Sequence, residues 1–206
     1  RQDKSVVYDM FYQKPAPLIS RDMVSDVPER IAANGDIVTP LDEAAVIEKV
    51  DRLVREQGVE SIAVCLLHAY ANPAHERAIG DLIAARYPDI YVSLSSEVAP
   101  EHREYERAST LVISAFVRPV VERYLSKFEA DAHGVGFQGT PLIMLSNGGV
   151  APVAAARRLA AQMFHSGPAA AVTGAAETAV LAGTPDIITI DVGGTSSDVC
   201  LITNGS

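Results

Sequence analysis

The octapeptide Asp191-Val192-Gly193-Gly194-Thr195-Ser196-Ser197-Asp198 concentrates groups that can hold a phosphate. Glycines at 193 and 194 let a backbone turn tightly and bring bare N–H groups close to an anion, with no Cβ in the way. Thr195, Ser196 and Ser197 add hydroxyl donors. Asp191 and Asp198 are carboxylates able to hold Mg2+, directly or through water, as the counter-charge a polyphosphate requires. Asp, Gly and Ser also build hairpin turns for conformational reasons alone, so the pattern by itself leaves a structural turn and a phosphate site both open.

Two further glycine turns precede it. "SNGGV" brings Asn147, Gly148 and Gly149 to the end of an apolar run, "LIML", that reads as a parallel strand. Ligands of open α/β sheets gather at such strand ends, although Asn-Gly-Gly is also a generic turn. "HSGP" places His165, Ser166 and Gly167 at the start of a helix whose first turn holds Pro168. Unpaired N–H groups at a helix start form a ready anion site, and ordinary helices begin the same way. His165 beside this turn is a candidate contact to substrate or phosphate. Neither G-x-x-x-x-G-K-[ST] nor G-x-G-x-x-G is present.

The elements that must carry these turns follow an α/β grammar. Asn34-Gly35-Asp36 between "RIAA" and "IVTP" reads as a short hairpin. "TPLD" predicts Thr39 as the N-cap of a helix with Pro40 in its first turn and Asp42 reaching back, closed by Gly58. "SIAVCLL" (61–67) is apolar on both faces, as a buried parallel strand is. A helix opening at "NPAHE" with Asn72 as cap and a strand at "IYVSL" (90–94) complete an α-β-α-β run from 39 to 94. Apolar spacing from Ile113 to Phe128 predicts a long helix over about 104–128, kinked or divided at Pro119. Its first turn, "EHREYER", reads as surface ion pairs, with an interdomain or subunit contact as the sharper alternative, and Phe116, Tyr124 and Phe128 as core or interface. A strand at 142–145, a helix through "APVAAARRLAA", a helix from Ala169 to about Leu181 and the closing strand–turn–strand follow. The domain boundary is placed at the glycine-rich "HGVGFQGT", giving 1–133 and 134–206.

With 206 residues, 48% hydrophobic and 21% charged, the chain is globular rather than disordered. A net charge of −9 argues against nucleic acid or an anionic membrane as partner. No apolar run has the length of a membrane span. Cys65 and Cys200 sit in apolar runs and read as reduced core residues, which points to the cytoplasm. His68 and His75 are not convincingly spaced for a metal, and His102 and His133 read as loop residues.

In order along the chain, "PERI", "SIAVCLLHAYANPAHE", "SSEVAPEHREYERAST", "PLIMLSNGGV", "HSGPAAAVTGA" and "DVGGTSSDV" resemble the hydantoinase A / 5-oxoprolinase family. That family includes ATP-dependent hydantoin hydrolases, 5-oxoprolinases and the ATP-binding subunits of acetone and acetophenone carboxylases. The resemblance implies an actin/hexokinase-like (ribonuclease H-like) ATPase, with this chain holding the end of its first domain and the start of its second. It further implies that ATP phosphates meet Gly193, Gly194, Thr195 and Ser196. Asp191 and Asp198 would be catalytic and bind Mg2+, and Asn147, Gly148, Gly149, His165, Ser166 and Gly167 would lie near the cleft. A B-type hydantoinase subunit is the implied partner, and homo-oligomerisation stays open. The expected activity is hydrolysis of a cyclic amide activated by phosphorylation, with ketone carboxylation or a kinase-like nucleotide domain as alternatives. The chain departs from the family pattern at Ala171, at "AAQMF" before the turn and at His165. Lacking an initiating Met and stopping at "TNGS", it reads as a fragment without the upstream half of an ATP site, inactive alone and weak in ATP affinity.

Overall fold

The computed structural model describes residues 8–13 and 15–205. Strands β1 (Arg30–Ile31) and β2 (Ile37–Thr39) pair antiparallel around the Asn34-Gly35-Asp36 turn, as its residues predict. Gly35 has a φ of +91°, which a glycine adopts freely. Helix α1 (Glu43–Gln57) starts three residues later than "TPLD" suggests. Pro40 holds Thr39 extended, so Thr39 pairs with Arg30 in the ladder. The cap is Asp42, whose carboxylate accepts the Ala45 N–H at 3.0 Å. Gly58, left-handed at φ 63°, ends the helix as expected.

Strands β3 (Ser61–Val64) and β4 (Tyr91–Leu94) are parallel, with Ser61 opposite Tyr91 and Val64 opposite Leu94. Helix α2 (Ala74–Arg86) makes the crossover between them. Asn72 serves its start, accepting the Ala74 N–H at 3.0 Å while donating to Gly35 O at 2.8 Å. Val46 and Val50 of α1, Ile62 and Val64 of β3, Ile79 and Ile83 of α2 and Leu94 form one buried core.

The short helix α3 (Ser95–Val98) leads to α4, a helix of 31 residues from Glu104 to Gly134. Pro119 lies inside α4 without dividing it. One face of α4 is buried through Leu111, Ala115 and Leu125, while Phe116, Tyr124 and Phe128 are exposed rather than core. The surface reading of "EHREYER" holds for Arg103 and Glu106, which pair at 3.8 Å. It fails for Arg107, which is fully buried: it donates to Leu66 O at 2.7 Å and Glu101 O at 3.0 Å and stacks 5.5 Å from the Tyr70 ring centre. Beside it Glu76, also fully buried, accepts from Ser95 Oγ at 2.6 Å, Ser96 N at 2.8 Å and Leu66 N at 2.9 Å. These two charges fix the loops that leave β3 and β4.

Arg118 of α4 donates to Val92 O on β4. Further along, Glu122 and Glu129 accept from Arg157 of α5 (Val153–Arg158). Leu125 packs with Val153 and Ala156 in a second buried cluster. Strands β5 (Leu142–Met144) and β6 (Val150–Pro152) are antiparallel, which overturns the parallel strand expected before "SNGG". Pro152 keeps Ala151 extended, so the predicted helix begins only at Val153. After α5 a 3-10 turn (Ala160–Met163) leads to α6 (Ser166–Leu181), which starts three residues earlier than expected. Strands β7 (Ile187–Val192) and β8 (Ser197–Ile202) close the described residues as the predicted hairpin. The two cysteines are free, but Cys65 is exposed and Cys200 half-buried, so neither is a core residue. Among the described residues no helix is long and apolar enough to cross a membrane.

Two stability predictions follow from the buried and bridged carboxylates. Replacing Glu76 with Ala strands three donors and should cost roughly 3 kcal/mol or more in urea denaturation, with Glu76→Gln costing less. Asp51 accepts two hydrogen bonds from Arg86, at 2.6 and 2.7 Å, and one from Tyr87 OH at 2.7 Å. The Arg86 bonds, then the Tyr87 bond, hold its carboxyl well below the ordinary 3.8. Its contribution is therefore present above about pH 4 and lost as the pH falls through its lowered folded value. Asp51→Asn should unfold more readily at neutral pH and show a flatter fall in stability below pH 4 than the parent.

Candidate phosphate-binding cleft

Helix α6 and the β7–β8 hairpin bring Asp191 and Asp198 to one cleft, which none of the other candidate residues lines. Gly183, at φ +73°, lets the chain leave α6, and β7 then runs back along the helix towards its N-terminus. The helix offers a small-residue face, Pro168, Ala171 and Ala175, to Thr189, Asp191 and Asp198 of the hairpin. Between them lies a cleft of about 270 Å3. Ala171, where the family pattern has a glycine nearby, is one of its walls.

Asp191 and Asp198 sit directly opposite each other across the antiparallel ladder, so both carboxylates project from one face. Like charges so placed repel, and a divalent cation held between them removes the repulsion. Mg2+ therefore fits this donor pair by its chemistry. Among the described residues no group of three or more His, Cys, Asp or Glu side chains is gathered as for a metal.

The hairpin tip is closed by Gly193 N–H donating to Ser196 O at 2.9 Å. Gly193, Gly194, Thr195 and Ser196 are all exposed. Neither glycine has a positive φ. A Cβ on Gly194 would have no atom of the protein within 4 Å, and one on Gly193 would meet only Ser196 O at 3.5 Å. The fold thus accepts a side chain at both positions, and a close approach from outside is the remaining physical use for glycine there.

The "SNGG" turn differs. Gly148 has a φ of +79°, and a Cβ there would stand 3.2 Å from Thr173 Oγ1 on α6. Gly149 N–H donates to Asn147 Oδ1 at 2.9 Å. Conformation and packing account for these residues, and the turn sits on α6. Ser146 Oγ, absent from the candidate set, joins this turn to the helix start. It donates to Gln162 O at 2.6 Å and accepts the His165 N–H at 3.0 Å. His165 is the N-cap residue of α6, its ring set edge-on to Phe164 at 4.7 Å. Ser166 and Gly167 form the first turn, where Pro168 has no N–H, so their N–H groups have no partner within the helix. The remaining histidines are elsewhere: His75 is buried against Glu29 at 2.8 Å, and His68 meets Tyr70 OH at 3.3 Å.

An α/β protein with a paired-carboxylate hairpin laid against a helix start is the class this geometry defines. The Hydantoinase/oxoprolinase family model matches residues 107–206, and the Hydantoinase/oxoprolinase N-terminal region model matches residues 1–87. The chain belongs to the hydantoinase/oxoprolinase family. It is 36% identical over 198 residues to the caprolactamase subunit alpha of Pseudomonas jessenii, covering 96% of this chain and 28% of that protein. It is 33% identical to the acetophenone carboxylase gamma subunit of Aromatoleum aromaticum, covering 94% of this chain and 27% of that one. The crystal structure of the ATP-dependent caprolactamase from Pseudomonas jessenii superposes with a TM-score of 0.81 at 35% identity, covering 98% of this chain and 29% of that one. The chain spans less than a third of the length of these relatives.

The two kinds of glycine respond differently to a methyl group. Gly148→Ala should lose about 1–2 kcal/mol, because an alanine is forced into the left-handed region. Gly194→Ala should lose nothing measurable in the same urea titration, since its Cβ meets no protein atom.

Proposed function

We propose that the polypeptide containing these residues is an ATP-dependent hydrolase of cyclic amides, with the β7–β8 hairpin as one half of its phosphate grip. The observation that carries this reading is the pair of exposed glycines, 193 and 194, which the fold does not require, beside two opposed carboxylates. Membership of the family and the likeness to an ATP-dependent caprolactamase support it.

Backbone N–H groups at the tip, with Thr195 and Ser196, would bind the terminal phosphates of ATP. Asp191 and Asp198 would hold Mg2+, which when bound supplies counter-charge to the phosphates. An unactivated lactam resists water because its amide resonance is intact. Transfer of the γ-phosphoryl to the amide oxygen breaks the bond to ADP and makes the amide carbon electrophilic. Water adds there, the ring C–N bond breaks with the nitrogen taking a proton, and hydrolysis of the acyl phosphate leaves a carboxylate and phosphate. The chain's part is positioning and charge neutralisation. We place the grip in an actin-like ATPase whose other half lies outside residues 1–206, working in the cytoplasm with a B-type partner subunit. The boundary near residue 133 would then separate its two domains, and the turn at Asn147, Gly148 and Gly149 with His165, Ser166 and Gly167 would border the cleft.

The likeness to acetophenone carboxylase supports a second reading, in which the phosphoryl group activates a ketone or bicarbonate instead. Phosphate release by the complete parent enzyme, assayed with Mg-ATP against lactams, hydantoins, 5-oxoproline and ketones with bicarbonate, separates the two. Release should rise with one cyclic amide and fall at least about 100-fold in Asp191→Asn, a typical loss when electrostatic stabilisation of the transferring phosphoryl group, here through the metal's carboxylate ligand, is removed. Stimulation only by a ketone with bicarbonate would favour the carboxylase. Release indifferent to Asp191 would remove the hairpin from the reaction.

A further inference from the structure

One histidine stands where the hairpin tip overhangs α6. Asp191 and Asp198 lie against Pro168 and Ala171 of the helix. Strand β7 runs along α6 towards its start, so the chain beyond Asp191 continues past Pro168. At about 3.3 Å per strand residue, Gly194 reaches about 10 Å beyond Asp191, whereas His165 is only about 4.5 Å before Pro168 along the helix axis. His165 also precedes the cleft-lining Val172 by two helical turns, which puts both on the face of α6 turned to the hairpin.

The imidazole is exposed, and its backbone is held without it. The His165 N–H donates to Ser146 Oγ at 3.0 Å, and the His165 carbonyl accepts the Ala169 N–H at 3.1 Å. The other four histidines are sited elsewhere: His68 meets Tyr70, His75 meets Glu29, and His102 and His133 flank the two ends of α4. The charged side chains on the elements that meet at this helix start are Asp191 and Asp198 of the hairpin and Arg157 and Arg158 of α5. Arg157 is held by Glu122 and Glu129.

The hydrolysis proposed above leaves one proton without a carrier. Water adding to the phosphorylated amide carbon sheds a proton, and the ring nitrogen needs one to depart as an amine rather than as an anion. That nitrogen is two bonds from the phosphorylated oxygen, so a group beside a phosphate at the tip reaches both. We propose that His165 is the carrier. Its neutral imidazole takes the proton of the attacking water as the new C–O bond forms. The imidazolium then gives that proton to the ring nitrogen as the C–N bond breaks and its electron pair stays on nitrogen. The imidazole ends neutral, so the step balances without a further acid or base. This role rests on the reading of the hairpin as the phosphate grip of a cyclic-amide hydrolase.

The test uses the complete parent enzyme with the cyclic amide that stimulates it, and the variants His165→Gln and His165→Ala. Ring opening should fall at least about 100-fold in both, the ordinary worth of a proton-transfer group. The first-turnover burst of ADP, and Mg-ATP affinity by calorimetry, should not change, because both precede the proton transfer. Ring opening by the parent should decline on the acid side of the histidine range, about pH 5 to 8, and that limb should vanish in His165→Gln. Added imidazole should restore ring opening to His165→Ala. Urea midpoints should match the parent's, since the bonds to Ser146 and Ala169 are made by backbone. An unchanged rate and acid limb in His165→Gln would overturn the proton role and leave the hydrolase reading standing. Weakened Mg-ATP binding in the variants would make His165 a phosphate contact and overturn the role as well. A parent enzyme that opens no cyclic amide would overturn the hydrolase reading, and this role with it.

Discussion

Two buried charges that meet at the backbone of Leu66 hold the first half of the chain in register. Glu76 draws Leu66, Ser95 and Ser96 onto α2, and Arg107 caps Leu66 and Glu101 from the first turn of α4. Both side chains are sealed from water, so each hydrogen bond they make must stay made. The consequence is geometric. With its N-terminal turns fixed on the β3–β4 pair, α4 extends across the molecule, and its later turns hold α5 through Arg157 and Leu125. The 3-10 turn after α5 hands the chain to Ser146 and His165, where α6 begins. The hairpin carrying Asp191 and Asp198 is laid along that helix. The hairpin's exposed tip depends on this rigid support, because it contributes a single cross-turn hydrogen bond of its own, from Gly193 N–H to Ser196 O.

Local chemistry was the most legible part of the sequence. The Asn34-Gly35-Asp36 hairpin, the Gly58 stop, the parallel pairing of the two apolar strands and the closing hairpin follow from turn residues and apolar runs. What escaped the sequence depended on neighbours distant along the chain. Arg107 in "EHREYER" looks like a surface charge until the carbonyl of Leu66 is placed beside it. Thr39 lost its cap role to strand pairing with Arg30. Phe116, Tyr124 and Phe128 share helical spacing with the buried residues of α4, and spacing does not say which face another element covers.

The three glycine turns were equivalent as sequence and are unequal in space. The "SNGG" turn uses Gly148 for a left-handed backbone pressed against Thr173, which is a structural use. The "HSGP" turn supplies a helix start tied to the first turn by Ser146. The glycines of "DVGGTSSD" answer no demand of the fold, and that distinction rests on dihedral angles and open space that composition does not encode. The opposed pair Asp191 and Asp198 was likewise named in advance, but the strand register is what makes them face each other.

The most direct measurement is a crystal structure of the complete parent enzyme with a non-hydrolysable Mg-ATP analogue. The account predicts phosphate oxygens within hydrogen-bonding distance of the Gly193 and Gly194 N–H groups, and the metal ion beside Asp191 and Asp198. A nucleotide bound elsewhere, with the hairpin tip covered by protein, would contradict it.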